Sequence, residues 1–249
     1  MSGHSKWSTI KRKKGAADAK RGALFTRLTK EITIAAREGG DPDTNFKLRL
    51  AMDKARASNM PKEHIERAIR RGTGEDKEGA AFEEVMYEGY GPHGVGMLFE
   101  VFTDNRNRTL GEIRRQMTRA NGRLAEAGAV SWQFTRKGYC VVHSPNLESV
   151  FEMAVEAGAD DVIEGEDDAI EIYTPVESFH SVTQRLQKAG LELEDAGLRM
   201  EPNQRMALDV NETVQILRLV ENLEVLDDVQ GVYTNLEYSD EALGVLEAA

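Results

Sequence analysis

The chain has 249 residues, 40% of them hydrophobic and 30% charged, with 32 Lys and Arg against 43 Asp and Glu for a formal net charge of −11. That is enough apolar material for the packed cores of one to three domains, which excludes wholesale disorder. The apolar stretches run only a handful of residues against the roughly 20 of a membrane-spanning helix, and the single cysteine, Cys140, excludes an internal disulfide framework or a cysteine-based zinc site.

Residues 1–17 are basic with no apolar segment behind them, so no secretory signal is expected and the cytoplasm is the expected compartment. Residues 16–38 place Leu24, Phe25, Leu28, Ile32 and Ala35 on one face of a predicted helix, ended by Gly39-Gly40-Asp41-Pro42. A second helix is predicted over 44–58, and a third opens at Pro61 with Ile65, Ala68 and Ile69 as its apolar face and stops at Arg71-Gly72-Thr73-Gly74. The polar stretch 72–80 reads as a linker. The period then switches from 3.6 to 2. Strands are predicted over 82–88 and 95–103, a helix over 106–120 starting near Asn105 or Thr109, and a short strand over 130–134. Next comes strand 139–143, helix 147–157, strands 161–164 and 169–173, helix 176–187 and strand 191–200, the βαββαβ order of a ferredoxin-like unit. The tail adds strand 206–210, helix 212–223 and strand 229–236.

One helix and two strands are too few for a stable domain, and 82–134 is similarly incomplete. The fold expected is therefore α+β: an N-terminal three-helix domain (1–79), an α+β domain built from 80–137 with 203–249, and a second α+β domain (138–202) inserted into it, both of the latter ferredoxin-like.

Charge is unevenly placed: the balance is +9 over 1–75, zero over 76–137 and −20 over 138–249. A basic head on an acidic body points to a polyanionic partner for the head, with the body restricting how it docks. Lys6, Lys11, Arg12, Lys13, Lys14, Lys20, Arg21, Arg27 and Lys30 face only Asp18 in the first 30 residues. They are candidate phosphate contacts, the alternative being a solvated terminus. Trp7, interleaved with them, either stacks on a base or packs into a core. A second basic group, Arg106, Arg108, Arg114, Arg115, Arg119, Arg123, Arg136 and Lys137, is opposed only by Glu112 and Glu126. It reads either as a second nucleic-acid contact, led by Arg106, Arg108, Arg114 and Arg115, or as a helix face held by ion pairs.

Other motifs reduce to local structure. Gly89-Tyr90-Gly91-Pro92-His93-Gly94 matches a dinucleotide fingerprint in letters, but a strand follows it, so a tight turn is expected. Glu164, Glu166, Asp167 and Asp168 around Gly165 read as a solvated hairpin turn rather than a cation site. None of His4, His64, His93, His143 and His180 pairs with another at metal-ligand spacing, and no P-loop or G-x-S-x-G motif occurs. No cofactor, metal, catalytic residue or small-molecule substrate is expected.

Gly3-His4-Ser5-Lys6-Trp7, Asp18-Ala19-Lys20-Arg21-Gly22, Asp53-Lys54-Ala55-Arg56, Asn59-Met60-Pro61-Lys62, Tyr87-Glu88-Gly89-Tyr90-Gly91-Pro92 and Thr103-Asp104-Asn105-Arg106-Asn107-Arg108-Thr109 resemble the YebC/PmpR family along essentially the whole chain. Arg123, in Asn121-Gly122-Arg123-Leu124, departs from the small or polar residue of that pattern. The resemblance implies a crab-like, three-domain molecule around an acidic cavity. It implies a DNA-binding transcriptional regulator or, as with a mitochondrial relative that activates translation of an oxidase subunit and bacterial relatives that relieve ribosome stalls at proline runs, a translation factor. The expectation is a non-enzymatic nucleic-acid-binding regulator of gene expression, on DNA or ribosomal RNA, with the acidic domains as a candidate surface for a protein partner and no membrane association.

Overall fold

The computed structural model describes residue 7 and residues 17–76, 82–165 and 167–247, with 17–21 described by backbone alone. Helix α1 (Ala17–Ala35) continues into a 3₁₀ turn (Ala36–Glu38), followed by α2 (Phe46–Ala57) and α3 (Lys62–Thr73). Their apolar faces meet in one core of Leu28, Ile32, Ala36, Leu48, Ala51, Ala55, Met60, Ile65 and Ala68. Buried Asn45 serves two helices. Its Oδ1 caps α2 by accepting from Leu48 N at 3.0 Å, and its Nδ2 donates to Ala35 O at 2.7 Å and Gly39 O at 2.8 Å, closing the end of the first helical stretch. Gly72 lies inside α3 rather than ending it, because α1 passes so close that a Cβ there would stand 2.3 Å from Thr33 O. The stop is Gly74, at φ 79°.

Strands β1 (Glu83–Tyr90) and β2 (Gly96–Thr103) form an antiparallel hairpin from Glu83↔Thr103 to Tyr90↔Gly96. His93 and Gly94, at φ 60° and 83°, turn the chain between them, so the glycine motif is a turn. Helix α4 (Arg106–Arg119) leads into β3 (Arg123–Ala125), which pairs with β1. Far downstream, α7 (Val210–Glu224) precedes β8 (Val229–Thr234), and the sheet order is β3-β1-β2-β8.

The other sheet uses β4 (Phe134–His143), β5 (Asp161–Glu164), β6 (Ala169–Thr174) and β7 (Leu193–Pro202), with α5 (Leu147–Glu156) and α6 (Phe179–Lys188) between them. Its order is β5-β6-β4-β7, with every pair antiparallel. A βαββαβ chain with its first strand inside the sheet is the ferredoxin-like arrangement. The first sheet is α+β with a different order, since its helices follow its second and third strands. Gly138 lets α6 approach β4: a Cβ there would lie 2.6 Å from the Phe179 ring. On the opposite face, Arg199 lies 3.3 Å from the Tyr139 ring centre and donates to Tyr173 Oη at 2.7 Å, while Tyr173 donates to buried Glu171 at 2.8 Å.

The chain forms two compact units. One runs from the first helix to Val130 and adds Gln215–Val232; the other comprises Ser131–Val214 and the chain from Tyr233.

Three expectations need correction. The strand expected over 130–134 is absent. Buried Glu88 takes the N–H groups of Gly128 (2.7 Å) and Val130 (2.6 Å), Ser131–Gln133 forms a 3₁₀ turn, and the strand that pairs with β1 is Arg123–Ala125. The strand expected over 206–210 shrinks to one bridge, Met206↔Leu236, because Asp209 starts α7 early: its Oδ1 accepts from Glu212 N at 2.8 Å and its own N–H donates back to Glu212 at 3.3 Å. A final helix, α8 (Asp240–Glu247), went unforeseen, although Ser239 Oγ accepts from Ala242 N at its start.

Candidate nucleic-acid interface

Helix α4 is the best-seated basic element. Thr103 Oγ1 accepts from Asn105 N at 2.9 Å, and Asn105 Oδ1 caps the helix by accepting from Arg108 N at 3.1 Å. Thr109, Ile113 and Met117, spaced i, i+4, i+8, are fully buried and fix the helix along one face. Arg108, Arg115 and Arg119 follow at i, i+7 and i+11, a single exposed stripe about 16 Å long. Arg114 is exposed on the other flank. Arg114, Arg115 and Arg119 make no ion pair among the described residues. Just beyond the helix, the Arg123 guanidinium lies 5.3 Å from the Tyr90 ring centre.

The start of the same helix is electrostatically committed. Arg106 is paired with Glu83. Arg108 donates to Asp104 at 2.8 Å and to Asp228 at 2.6 Å, and both hydrogen bonds raise its pKa above the usual guanidinium value. Asp228, in the turn before β8, is 3% exposed and also accepts from Lys30 Nζ at 2.5 Å, Thr109 Oγ1 at 2.6 Å and Thr103 Oγ1 at 3.0 Å. Burial pushes the Asp228 carboxyl up, but the bonds from Lys30, Thr109 and Arg108 outweigh it and bring it down to about 2.

This hub engages part of the predicted basic set. Lys30 is 5% exposed, with Nζ bound to Asp228 and to Asp227 O (2.8 Å), so its charge is neutralised internally. Arg27 turns to the Gln230 carbonyl. Of the leading candidates in the second basic group, Arg106 and Arg108 follow the ion-pair alternative and Arg114 and Arg115 do not. Trp7 is 3% exposed, which leaves its ring no open face for a base. Lys6, Lys11, Arg12, Lys13 and Lys14 lie outside the described residues, as do the side chains of Lys20 and Arg21. Arg67 and Arg70, exposed along α3, escaped the sequence reading; the signal was the helix sequence itself, whose Arg67, Arg70 and Arg71 follow the two acids Glu63 and Glu66.

Among the described residues no three His, Cys, Asp or Glu side chains are placed to hold a metal ion. Asp167 and Asp168, at φ 55° and 58°, form the expected acidic turn, with Glu166 outside the described residues. Cys140 is buried and its thiol is pushed up to about 12 by that burial, an unreactive state. No described helix is long and apolar enough to cross a membrane.

Two family descriptions match the chain: the TACO1/YebC protein N-terminal domain over residues 5–75, and the TACO1/YebC second and third domain over residues 82–236. The chain belongs to the TACO1/YebC family. A probable transcriptional regulatory protein of Geobacter sulfurreducens is 53% identical over 98% of both chains, and one of Nitrosococcus oceani is 49% identical over 99% of this chain and all of that one. Among solved structures, a conserved hypothetical protein of Aquifex aeolicus matches with a TM-score of 0.82 at 42% identity, covering 89% of this chain and 92% of that one. The helical head and the two four-stranded sheets are thus the architecture of a TACO1/YebC protein, and the regulator naming of its relatives assigns it to a family of regulators. Arg123, where the chain departs from the pattern expected of the family, has a place in the fold: it lies over Tyr90 beside the α4 arginines.

Proposed function

We propose that this chain is a non-enzymatic regulator of gene expression that grips the phosphate backbone of a nucleic acid. The observation that carries the reading is the set Arg114, Arg115 and Arg119, exposed on a helix locked to its sheet by a buried face and a capped start. Three or four fixed guanidiniums in a chain of net charge −11 answer no internal need for charge. Their planar forks suit phosphate oxygens. The basic arm, Lys6 to Arg21, makes phosphate contacts of its own in this reading.

The relatives' regulatory names favour DNA as the target. A specific observation favours structured RNA as the second reading. Recognition helices read base edges with residues near their N-terminus. Here that end is engaged in pairs with Glu83, Asp104 and Asp228, leaving the helix flank to meet backbone and shape, the way folded RNA is read. A ribosome-associated factor that relieves stalls at proline runs is the form this second reading takes.

Salt dependence tests the mechanism. If Arg114, Arg115, Arg119 and Arg123 each neutralise a phosphate of duplex DNA, log K against log salt falls with a slope of about −3.6. The R114A/R115A/R119A variant should flatten it by about 2.7 and weaken binding to all sequences alike. A flat response in the wild type, or an unchanged slope in the variant, overturns the reading. Running duplex DNA and ribosomal RNA side by side identifies the target.

A further inference from the structure

The chain has two tryptophans, and they stand at opposite extremes: Trp7 is 3% exposed and Trp132 is 71% exposed. Trp132 occupies the 3₁₀ turn Ser131–Gln133 that leads into β4. An exposed indole forgoes the burial an aromatic ring ordinarily gains, yet the turn that displays it is firmly held. Asn203 grips it at three points: its N–H donates to Gln133 O at 2.8 Å, its Nδ2 donates to Trp132 O at 3.2 Å, and its Oδ1 accepts from Thr135 Oγ1 at 2.7 Å. Asn235 Nδ2 donates to Gln133 Oε1 at 2.9 Å. Phe134, next in the chain, is buried and paired with Pro202, which anchors the start of the strand.

The surroundings indicate what such a ring is for. The other exposed large apolar side chains among the described residues are Leu24, Met86, Phe151, Val155, Val176, Val225 and Val245, and none belongs to this turn or to the β7 end facing it. The exposed residues around it are polar or cationic instead: Thr135, Arg136, Asn203, Gln204 and Arg205. Residues 131–137 and 202–208 together hold Arg136, Lys137 and Arg205, within a C-terminal half that is otherwise strongly acidic; Arg205 lies 3.9 Å from Glu201, Lys137 pairs with Asp160 at 3.3 Å, and Arg136 is exposed. A protein hot spot clusters several anchoring side chains, and no second exposed large apolar side chain belongs to this turn. A single aromatic face among cations is the pattern of a platform on which an unpaired base stacks while its phosphates meet the flanking charges.

We infer that Trp132 is a stacking site for an unpaired nucleobase, flanked by Arg136 and Arg205, and that it gives the protein a preference for single-stranded segments. This inference rests on the nucleic-acid reading above and narrows it to nucleic acid with unpaired bases. A base inside a duplex has both faces occupied by its neighbours and does not serve.

The test measures the affinities of wild type, W132A, W132F and R114A/R115A/R119A for an oligouridylate and for a mixed-sequence duplex. In a W7F background, Trp132 is the sole source of indole fluorescence, which a stacked base quenches. The expected result is quenching on addition of oligouridylate, a loss of about 5- to 150-fold for W132A on the single strand, near-complete retention by W132F, and unchanged duplex binding. Should W132A keep its oligouridylate affinity while the arginine variant loses it, the stacking site is overturned, the backbone reading survives, and Trp132 is left as a protein contact. Should wild type bind neither probe, the nucleic-acid reading falls and the stacking site with it.

Discussion

The Asp228 carboxylate accepts from Lys30, Thr103, Thr109 and Arg108, and its own carbonyl accepts from Phe102 N at 2.8 Å. A buried carboxylate with this many donors is stable only while ionised. Its pKa in the fold is about 2 against an ordinary 3.8, so the native state favours the charged form, and the resulting stability is present above about pH 4 and lost as pH falls towards 2. The depression is worth on the order of 2 kcal/mol. Acid titration of thermal stability should show this loss in the wild type. D228N keeps the shape but leaves Lys30 buried beside a neutral amide, and should lower stability by about 3–5 kcal/mol in denaturant unfolding. A D228N protein as stable as wild type would show the hub to be energetically idle.

At the scale of elements, close approach decides more than propensity. Gly72 sits in the last turn of α3, and G72A should destabilise, since its Cβ would meet the Thr33 carbonyl at 2.3 Å and the Ala36 Cβ at 2.6 Å and push α1 off α3. A lower urea midpoint with an unchanged m-value is the expected reading; a rise would mean that the helices separate at no cost. The same example shows what the chain reveals about itself. Amphipathic periods locate α1, α2, α3, α5 and α6, and strand patterning locates β1, β2 and the four strands of the ferredoxin-like sheet, because burial is written residue by residue. Arg123–Ala125 has three residues and no alternation to read, and the strand expected over 130–134 carries the right residue types in a turn held by Glu88. Helix spacing places the exposed row of α4, but the inward turn of Arg27 and Lys30 depends on Asp228 and Gln230, about 200 positions away, for which no local pattern exists. Exposure of Trp132 rather than Trp7 is equally a tertiary outcome.

Across the whole molecule, the balance of −20 over residues 138–249 masks cationic surface elsewhere. An evenly mixed surface of net charge −11 would be repelled by a polyanionic matrix. The segregated one should bind heparin at low ionic strength and elute as salt screens the contact, with R114A/R115A/R119A leaving the column earlier. Passage without retention would mean that the acidic portion governs the field everywhere. The buried pair of Lys30 and Asp228 also has a meaning in time. A chain made from its N-terminus completes the helix bearing Lys30 first, and Asp228 follows Lys30 by 198 residues. Until Asp228 is made, that ammonium lacks this counter-charge to fold against, so the head cannot settle on its sheet. Docking therefore reports that translation has passed Asp228, and a copy terminated before it would carry an unlatched head for proteases to recognise.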